Sequence, residues 1–205
     1  PLPRPGRAVG VVSRIVDRGA ATAAYVGIGM AITIAASFLL IIPIEPVIWL
    51  LAIPSGLLIG YYANQRSDRR AGPWSRVLRN GFFAALVTGL TTAALLLLLK
   101  AIFFFADTGY PDFNRVVEGT PIPPSCETGA SCVYARYLAL GRGAELEAAG
   151  VTDAVTFGSL YWSQQSSVAG AIVLVTTAGG LGGAVLYGLF RPKPAVPGGT
   201  ITTLA

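Results

Sequence analysis

A single lysine inside a long apolar run is the residue whose chemistry most needs an explanation. Lys100 follows five leucines in the stretch LLLLLKAIFFF, residues 95–105. Side chains of a helix lean towards its N-terminus, so the ammonium group of Lys100 leans towards the middle of the apolar run. The position suits either a lysine that extends to the lipid headgroups or one member of an ion pair.

A carboxylate partner for Lys100 is present in the turn between the first two apolar segments. Glu45 is the only acidic residue of that PIEP turn, and Asp107 opens the loop after the lysine. We predict that Lys100 pairs with Glu45 and ties the third predicted helix to the first two. If the two residues form an ion pair, we expect Lys100→Met, Glu45→Gln and the double variant to lose comparable amounts of stability, so that the single losses do not add. A role for Lys100 in carrying protons or anions is less favoured, because such relays usually contain several ionisable groups.

The only two cysteines are a second candidate for chemistry. Cys126 and Cys132 enclose the five residues ETGAS. Redox catalysts favour C-x-x-C spacing and structural zinc sites use four ligands, so neither alternative fits the pair well. In an oxidising compartment the spacing predicts a structural disulfide, which by closing a small loop contributes about 2 kcal/mol.

Catalytic chemistry is limited by the complete absence of histidine. A Ser-His-acid triad within the chain is excluded, and the usual ligand of haem, copper and catalytic zinc is missing. Glu145 and Glu147 fall on different faces of a helix and are predicted to be solvated. The GGLGG stretch, residues 179–183, lies inside a predicted spanning helix with no strand before it, so it does not match a phosphate-binding loop. We predict no enzymatic activity, no cofactor and no metal site.

Four apolar segments must position these residues. The chain has 205 residues, a mean hydropathy of +0.63 and only 12% charged residues, against about 25% in soluble domains. The predicted fold class is an all-α membrane protein with four transmembrane helices. The predicted parts are a basic, amphipathic arm (1–19), a transmembrane hairpin of two helices (20–63), a basic loop (64–80), a third helix (81–106), a loop of about 60 residues (107–166), a fourth helix (167–190) and a tail (191–205).

The distribution of arginines predicts the orientation of these helices in the membrane. The arm (1–19), the basic loop (64–80) and the tail (191–205) hold most of the basic residues. Loop 107–166, by contrast, has three arginines against seven acidic residues. The positive-inside rule therefore places both termini in the cytoplasm and the cysteine loop outside. Within that outer loop we expect short helices at 133–140 and 144–149, and Tyr161 and Trp162 at the membrane interface.

The basic loop is predicted to contact anionic lipid headgroups in addition to setting topology. Nucleic acid is not a predicted partner, because the charges are spaced out and lack interleaved aromatic residues. The predicted headgroup contacts are Arg66, Arg69, Arg70, Trp74, Arg76 and Arg79.

Small residues on the fourth predicted helix indicate close helix packing. Gly179 and Gly183 are four residues apart, as are Ala184 and Gly188, and such pairs let helices approach closely. We predict that this face packs inside the bundle, with docking onto another subunit as the alternative. The predicted face consists of Gly179, Gly180, Gly182, Gly183 and Gly188.

The threading as a whole is similar to the tetraspanin layout, with a short first outer turn and a large outer loop before the fourth helix. The loop lacks the paired-cysteine-glycine motif of tetraspanins, so no family is assigned. The missing catalytic groups and the small helix faces predict a non-catalytic integral membrane subunit of a larger complex, such as a respiratory, photosynthetic, transport or cell-surface assembly.

Its predicted partners are other integral membrane subunits or further copies of itself, and anionic lipids. The alternative function is a small transporter or channel acting as an oligomer. A composition rich in Ala, Gly, Leu and Arg favours a bacterial cytoplasmic membrane, with an organelle inner membrane as the alternative. The chain begins with proline, so a segment upstream of Pro1 is left open.

Overall fold

The computed structural model describes residues 17–40, 45–68, 72–106, 116–117, 120–121 and 126–191. In chain order its elements are α1 (Arg18–Leu40), α2 (Glu45–Gln65), α3 (Trp74–Phe105), β1 (Val116–Val117), β2 (Thr120–Pro121), α4 (Ala130–Ala139), α5 (Gly143–Ala148) and α6 (Ala154–Phe190). The two short strands pair in antiparallel fashion, with Val116 opposite Pro121 and Val117 opposite Thr120. Apart from this strand pair, the described elements are helices. The predicted N-terminal arm and most of the predicted tail lie outside the described residues.

Three of the described helices are long and apolar enough to cross a membrane. They are α1 over Arg18–Ser37, and α3 and α6 over their whole lengths. The predictions of a helical fold and of membrane-spanning helices are confirmed at this level. Helix α2 has 21 residues and contains Pro54, and it packs within the same bundle.

The bundle has α2 and α3 at its centre. Helix α6 packs along both of them, and so does α1. At the end where α1 begins, the contacts between α1, α2 and α3 are made largely by alanines, including Ala20, Ala63 and Ala84, which are fully buried. Because these side chains are small, the helices pack at short range.

Two helices begin earlier than the hydropathy pattern predicts. Helix α3 begins at Trp74, so residues 74–80 of the predicted basic loop are helical. Helix α6 begins at Ala154, so residues 154–166 of the predicted outer loop are helical too. The predicted bounds 81 and 167 are those of membrane-spanning segments, and as such they stay predictions.

The start of α6 is fixed by a capping interaction. The carboxylate of Asp153 accepts hydrogen bonds from the backbone N–H groups of Val155 and Thr156, at 3.0 and 2.8 Å. The Thr156 hydroxyl in turn accepts from the backbone N–H of Asp153 at 3.2 Å. This reciprocal arrangement is a capping box.

At about 1.5 Å per residue, the 37 residues of α6 extend over roughly 55 Å, well beyond the ~30 Å of a bilayer's hydrocarbon core.

The two short helices turn back against this extension of α6. Two residues after α4 and α5 end come Gly141 and Gly150, which adopt the left-handed φ values of 76° and 77°. That conformation is accessible to glycine without strain, and it closes each helix with a tight turn. Helices α4 and α5 lie within a few residues of the two short helices expected from the sequence, and α4 packs against α6.

Candidate functional site

Helices α4 and α5 and residues 154–166 of α6 form a small unit that we call the cap. Its centre is Phe157, which is buried among residues from all three segments. The ring of Tyr137 meets Phe157 edge to face with centroids 5.0 Å apart, and Tyr134 lies 5.5 Å away on the same ring. The buried members of this core are Phe104, Val133, Leu146, Val151, Phe157 and Tyr161.

The cap is joined to the bundle through the end of α3. Phe104 stacks on Tyr161 with ring centroids 5.0 Å apart, and the neighbouring Phe105 stacks on Trp162 at 5.7 Å. Tyr161 is buried in the cap core, whereas Phe105 is exposed; the expected position of Tyr161 and Trp162 at the membrane interface stays a prediction. The aromatic contacts fix the cap at the end of the bundle where α3 finishes, which we call the cap end.

The two cysteines secure the entry to the cap. The sulfur atoms of Cys126 and Cys132 lie at disulfide distance, with their Cα atoms 5.4 Å apart. Cys132 belongs to the first turn of α4 and is 1% exposed. The pair therefore ties the chain before α4 to the helix that packs against α6.

One side of the cap contains a cavity of about 70 Å³. Its floor is formed by the aromatic core, and its rim carries Arg142 and Glu145, whose atoms Nε and Oε2 lie 2.8 Å apart. The Arg142 guanidinium also lies over the ring of Tyr137, 4.8 Å from the centroid. The cavity is lined by Tyr137, Arg142, Glu145, Leu146, Ala149, Phe157, Leu160, Tyr161 and Gln164.

The rim charges stabilise each other in their ionised forms. The hydrogen bond from Arg142, together with its positive charge, lowers the pKa of the Glu145 carboxyl. The same hydrogen bond raises the pKa of Arg142. The two side chains are 48% and 66% exposed, so solvent screens their attraction, although a second hydrogen bond at 3.2 Å also joins them.

The predicted glycine face of α6 lies mostly against neighbouring helices of the same chain. A Cβ atom at Gly183 would lie 2.0 Å from the carbonyl oxygen of Leu57, and one at Gly180 would lie 2.1 Å from the Cβ of Ala85. Gly179 faces the backbone of α2, and Gly188 faces the ring of Trp74. Gly182 differs, because nothing lies within 4 Å of its would-be Cβ. Four of the five predicted glycines thus adjoin other parts of this chain.

The predicted ion pair of Lys100 and Glu45 stays a prediction. Lys100 lies in α3, half-buried, five residues before the helix ends. Glu45 is the first residue of α2, but its side chain lies outside the described residues.

The opposite end of the bundle, which we call the arginine end, contains a buried pair of asparagines. The amide of Asn64 donates to the carbonyl oxygens of Gly60 and Val77, at 3.1 and 3.0 Å. Asn80 donates only to Asn64, at 3.5 Å, and its Oδ1 has no hydrogen-bond partner among the described residues. Asn64 therefore links α2 to α3, while Asn80 adds little.

A second polar contact at this end joins α1 to the turn after α2. The Ser67 hydroxyl donates a hydrogen bond to the Asp17 carboxylate. Partial burial by itself raises the pKa of Asp17, but this bond and the backbone N–H groups of Gly19 and Arg18 lower it overall. The positive charge of Arg76 acts in the same direction.

Trp74 and several arginines lie at the same end. Arg191 donates to the carbonyl oxygen of Gly72 at 2.6 Å, and its guanidinium lies 5.9 Å from the centre of the Trp74 ring. Of the predicted headgroup contacts, Arg66, Arg79 and Trp74 are exposed and Arg76 is half-buried, while Arg69 and Arg70 lie outside the described residues. The exposed guanidiniums remain candidates for contact with lipid phosphates.

Among the described residues, no three His, Cys, Asp or Glu side chains lie close enough together to share a metal ion. The chain matches no family profile, no curated protein and no solved structure at a significant level. Its function is therefore inferred from the geometry of the described residues.

Sequence reasoning missed the cap core and the two buried asparagines. A signal for the cap was present in Asp153 followed by Thr156, which is a helix-start pattern, and in the helical spacing of Phe157 and Tyr161. For the asparagines, the signal was an amide side chain at the edge of an apolar segment, where burial requires hydrogen bonds. The cavity has no comparable sequence signal, because its lining comes from three segments.

Proposed function

We propose that this chain is a non-catalytic integral membrane subunit whose bundle holds the cap in position to contact partner membrane proteins. In this proposal α1, α2, α3 and α6 all cross the membrane, most of the cap extends outside and the arginine end lies in the cytoplasm. The membrane is the bacterial cytoplasmic membrane. Exposed arginines at the cytoplasmic end contact anionic lipid headgroups.

The observation that carries the proposal is the continuity of α6. One helix of 37 residues supplies both a wall of the bundle and one of the three segments of the cap, so a continuous helix connects the two parts. Within the bundle, α6 lies so close to α2 that backbone atoms meet at Gly60 and Gly180. Such packing favours a fixed support over a transporter, which requires two alternative arrangements of its helices.

The cap also carries apolar side chains that its own core does not cover. Val155 is 80% exposed and Leu140 is 63% exposed, although the proposal places both residues above the membrane. An apolar side chain in water favours association, so these positions are suited to contact with a partner protein.

The experiment that tests the proposal is extraction into nanodiscs, followed by native mass spectrometry and identification of every chain that co-migrates. We expect a fixed set of companions at whole-number stoichiometry. Val155→Lys should release them, whereas Thr152→Lys, an exposed change nearby on the cap, should not. A single species or a pure homo-oligomer would contradict the subunit role and favour the transport alternative, to be tested by flux in proteoliposomes with Lys100→Met.

A further inference from the structure

We propose that the cap cavity binds the headgroup of a phospholipid that carries a primary ammonium group beside its phosphate. This inference rests on the proposed function, because it requires the cap to lie at the membrane surface. Gln164, on the cavity lining, is three residues before the predicted membrane boundary at 167, or about 5 Å along the helix. The cavity thus extends from headgroup level into the cap, since the headgroup layer on each side is about 5–7 Å deep.

The charges on the rim match the two charges of such a headgroup. The carboxylate of Glu145 accepts hydrogen bonds from an ammonium group, and the faces of aromatic rings attract cations. The Arg142 guanidinium already lies 4.8 Å from the centre of the Tyr137 ring, which shows that this ring attracts a cation. The guanidinium of Arg142 is in turn suited to phosphate, which it binds with a planar pair of donors.

Opening the rim exchanges one set of charged contacts for another. Arg142 and Glu145 are joined by two hydrogen bonds, at 2.8 and 3.2 Å, and both are substantially exposed, so solvent screens their attraction. The headgroup replaces this contact with an ammonium group on Glu145 and a phosphate on Arg142. In the headgroup, only two carbon atoms separate the ammonium group from the phosphate. Glu145 can therefore bind the ammonium group while the neighbouring Arg142 binds the phosphate. A headgroup with a negative charge alone would leave Glu145 facing that charge.

The size of the cavity selects a small cationic group. Each water-sized group needs about 10–15 Å³ of such volume, so a cavity of about 70 Å³ takes roughly five to seven non-hydrogen atoms. An aminoethyl group with its ester oxygen fits within that limit, with the remaining phosphate oxygens at the rim. A trimethylammonium group adds three carbons and so reaches the upper end of that range, which favours the smaller group.

The test uses nanodiscs that contain equal amounts of phosphatidylethanolamine, phosphatidylcholine and phosphatidylglycerol, with native mass spectrometry of the lipids that the whole chain retains. We expect one phosphatidylethanolamine to be retained in preference to the other two. Glu145→Gln should reduce that preference about tenfold, as expected for loss of one hydrogen bond to a charged group. Glu147→Gln, an exposed change on the same helix that does not line the cavity, should leave it unchanged.

Equal retention of the three lipids by inserted chain, or equal effects of the two glutamate variants, would overturn the headgroup site alone. Displacement of the retained lipid by soluble phosphoethanolamine at comparable concentration would overturn the assignment of a membrane lipid as the occupant. A chain that fails to enter nanodiscs at all would contradict the proposed function as well, so the two failures are distinguishable.

Discussion

Two asparagines of similar burial at the arginine end make very different use of their amide groups. Asn64 and Asn80 are 2% and 1% exposed. Asn64 bonds two carbonyl oxygens at about ideal distance, whereas Asn80 makes one long bond and leaves its Oδ1 without a partner among the described residues. Burial of an amide is costly unless its hydrogen bonds are made, so only Asn64 recovers that cost.

We therefore expect Asn64→Ala to destabilise the protein by about 1 kcal/mol more than Asn80→Ala. The two changes remove the same atoms from equally buried positions, so the difference reports the hydrogen bonds of Asn64. Thermal unfolding of the purified variants in one detergent measures it. Equal losses would show that the bonds to Gly60 and Val77 contribute nothing measurable.

The carboxylate of Asp17 makes stability depend on pH in acid. Partial burial opposes ionisation, but the hydrogen bond from Ser67 and the backbone N–H groups lower the pKa of Asp17 below its ordinary value of 3.8. The folded state therefore holds this proton less tightly than the unfolded state does. The stability from this group is complete above pH 3.8 and is lost as the pH falls through the lowered folded-state pKa.

Melting temperatures measured from pH 6 down to pH 2 test this expectation. Ser67→Ala removes a bond that lowers the pKa, so it should reduce stability at pH 6 and flatten the decline below pH 3.8. Asp68→Asn, next to Ser67 in the chain, is the matched control and should follow the unmodified protein. A decline in acid that Ser67→Ala leaves unaltered would rule out the proposed role of this hydrogen bond.

At the scale of the helices, the fit between α6 and α2 depends on glycine at particular positions. Gly182 and Gly183 are adjacent in sequence, yet only Gly183 points at the backbone of α2. We expect Gly183→Ala to force the two helices apart and to cost about 1–3 kcal/mol. Gly182→Ala should be neutral or stabilising by up to about 1 kcal/mol, because alanine is the better helix former.

Unfolding of both variants in the same detergent measures the difference, and the shared chemistry of the substitution makes each the control of the other. If the two alanines had the same effect, the close contact of α6 with α2 would not determine stability. A loss of co-migrating partners in Gly182→Ala alone would indicate that the outward face of α6 is the docking surface.

How much of these elements the sequence predicts depends on what each one buries. The bundle helices follow from apolar runs alone, so hydropathy locates them. The first turns of α6 bury Phe157 and Tyr161 against α4 and α5, while Ser163 and Ser166 stay exposed. Because apolar and polar residues are mixed in this segment, its mean hydropathy does not distinguish it from a loop. The cavity was beyond prediction because the position of Arg142 relative to Tyr161 depends on how three helices pack.

For the whole molecule, the arginine end and the cap end are separated by the length of α3. With 32 residues rising about 1.5 Å each, α3 extends over roughly 48 Å, slightly more than a bilayer with its headgroups. Most of the described arginines lie at the arginine end, whereas the pair of cysteines at disulfide distance lies at the cap end. Arginine-rich loops are retained in the cytoplasm, and disulfides form under the oxidising conditions outside. Both rules favour an orientation with the arginine end in the cytoplasm and the cap end outside.

Single cysteines introduced at three serines test both this orientation and the passage of α2 through the membrane. Ser13 precedes α1, Ser75 lies in the first turn of α3, and Ser159 lies on the exposed side of the cap. The two native cysteines lie at disulfide distance, so as a disulfide they do not compete for a thiol reagent. In intact cells, we expect a membrane-impermeant maleimide to label Ser159→Cys only, and to label Ser13→Cys and Ser75→Cys after permeabilisation.

The pattern of labelling separates the alternatives because each helix that crosses reverses the side. If α2 crosses, positions 13 and 75 share one side, since α1 and α2 lie between them. Labelling of Ser13→Cys together with Ser159→Cys would mean that α2 does not cross and that three helices span the membrane. Labelling of positions 13 and 75 without 159 would keep four spans but invert the molecule, and the cap would then face the cytoplasm, where a disulfide is not maintained.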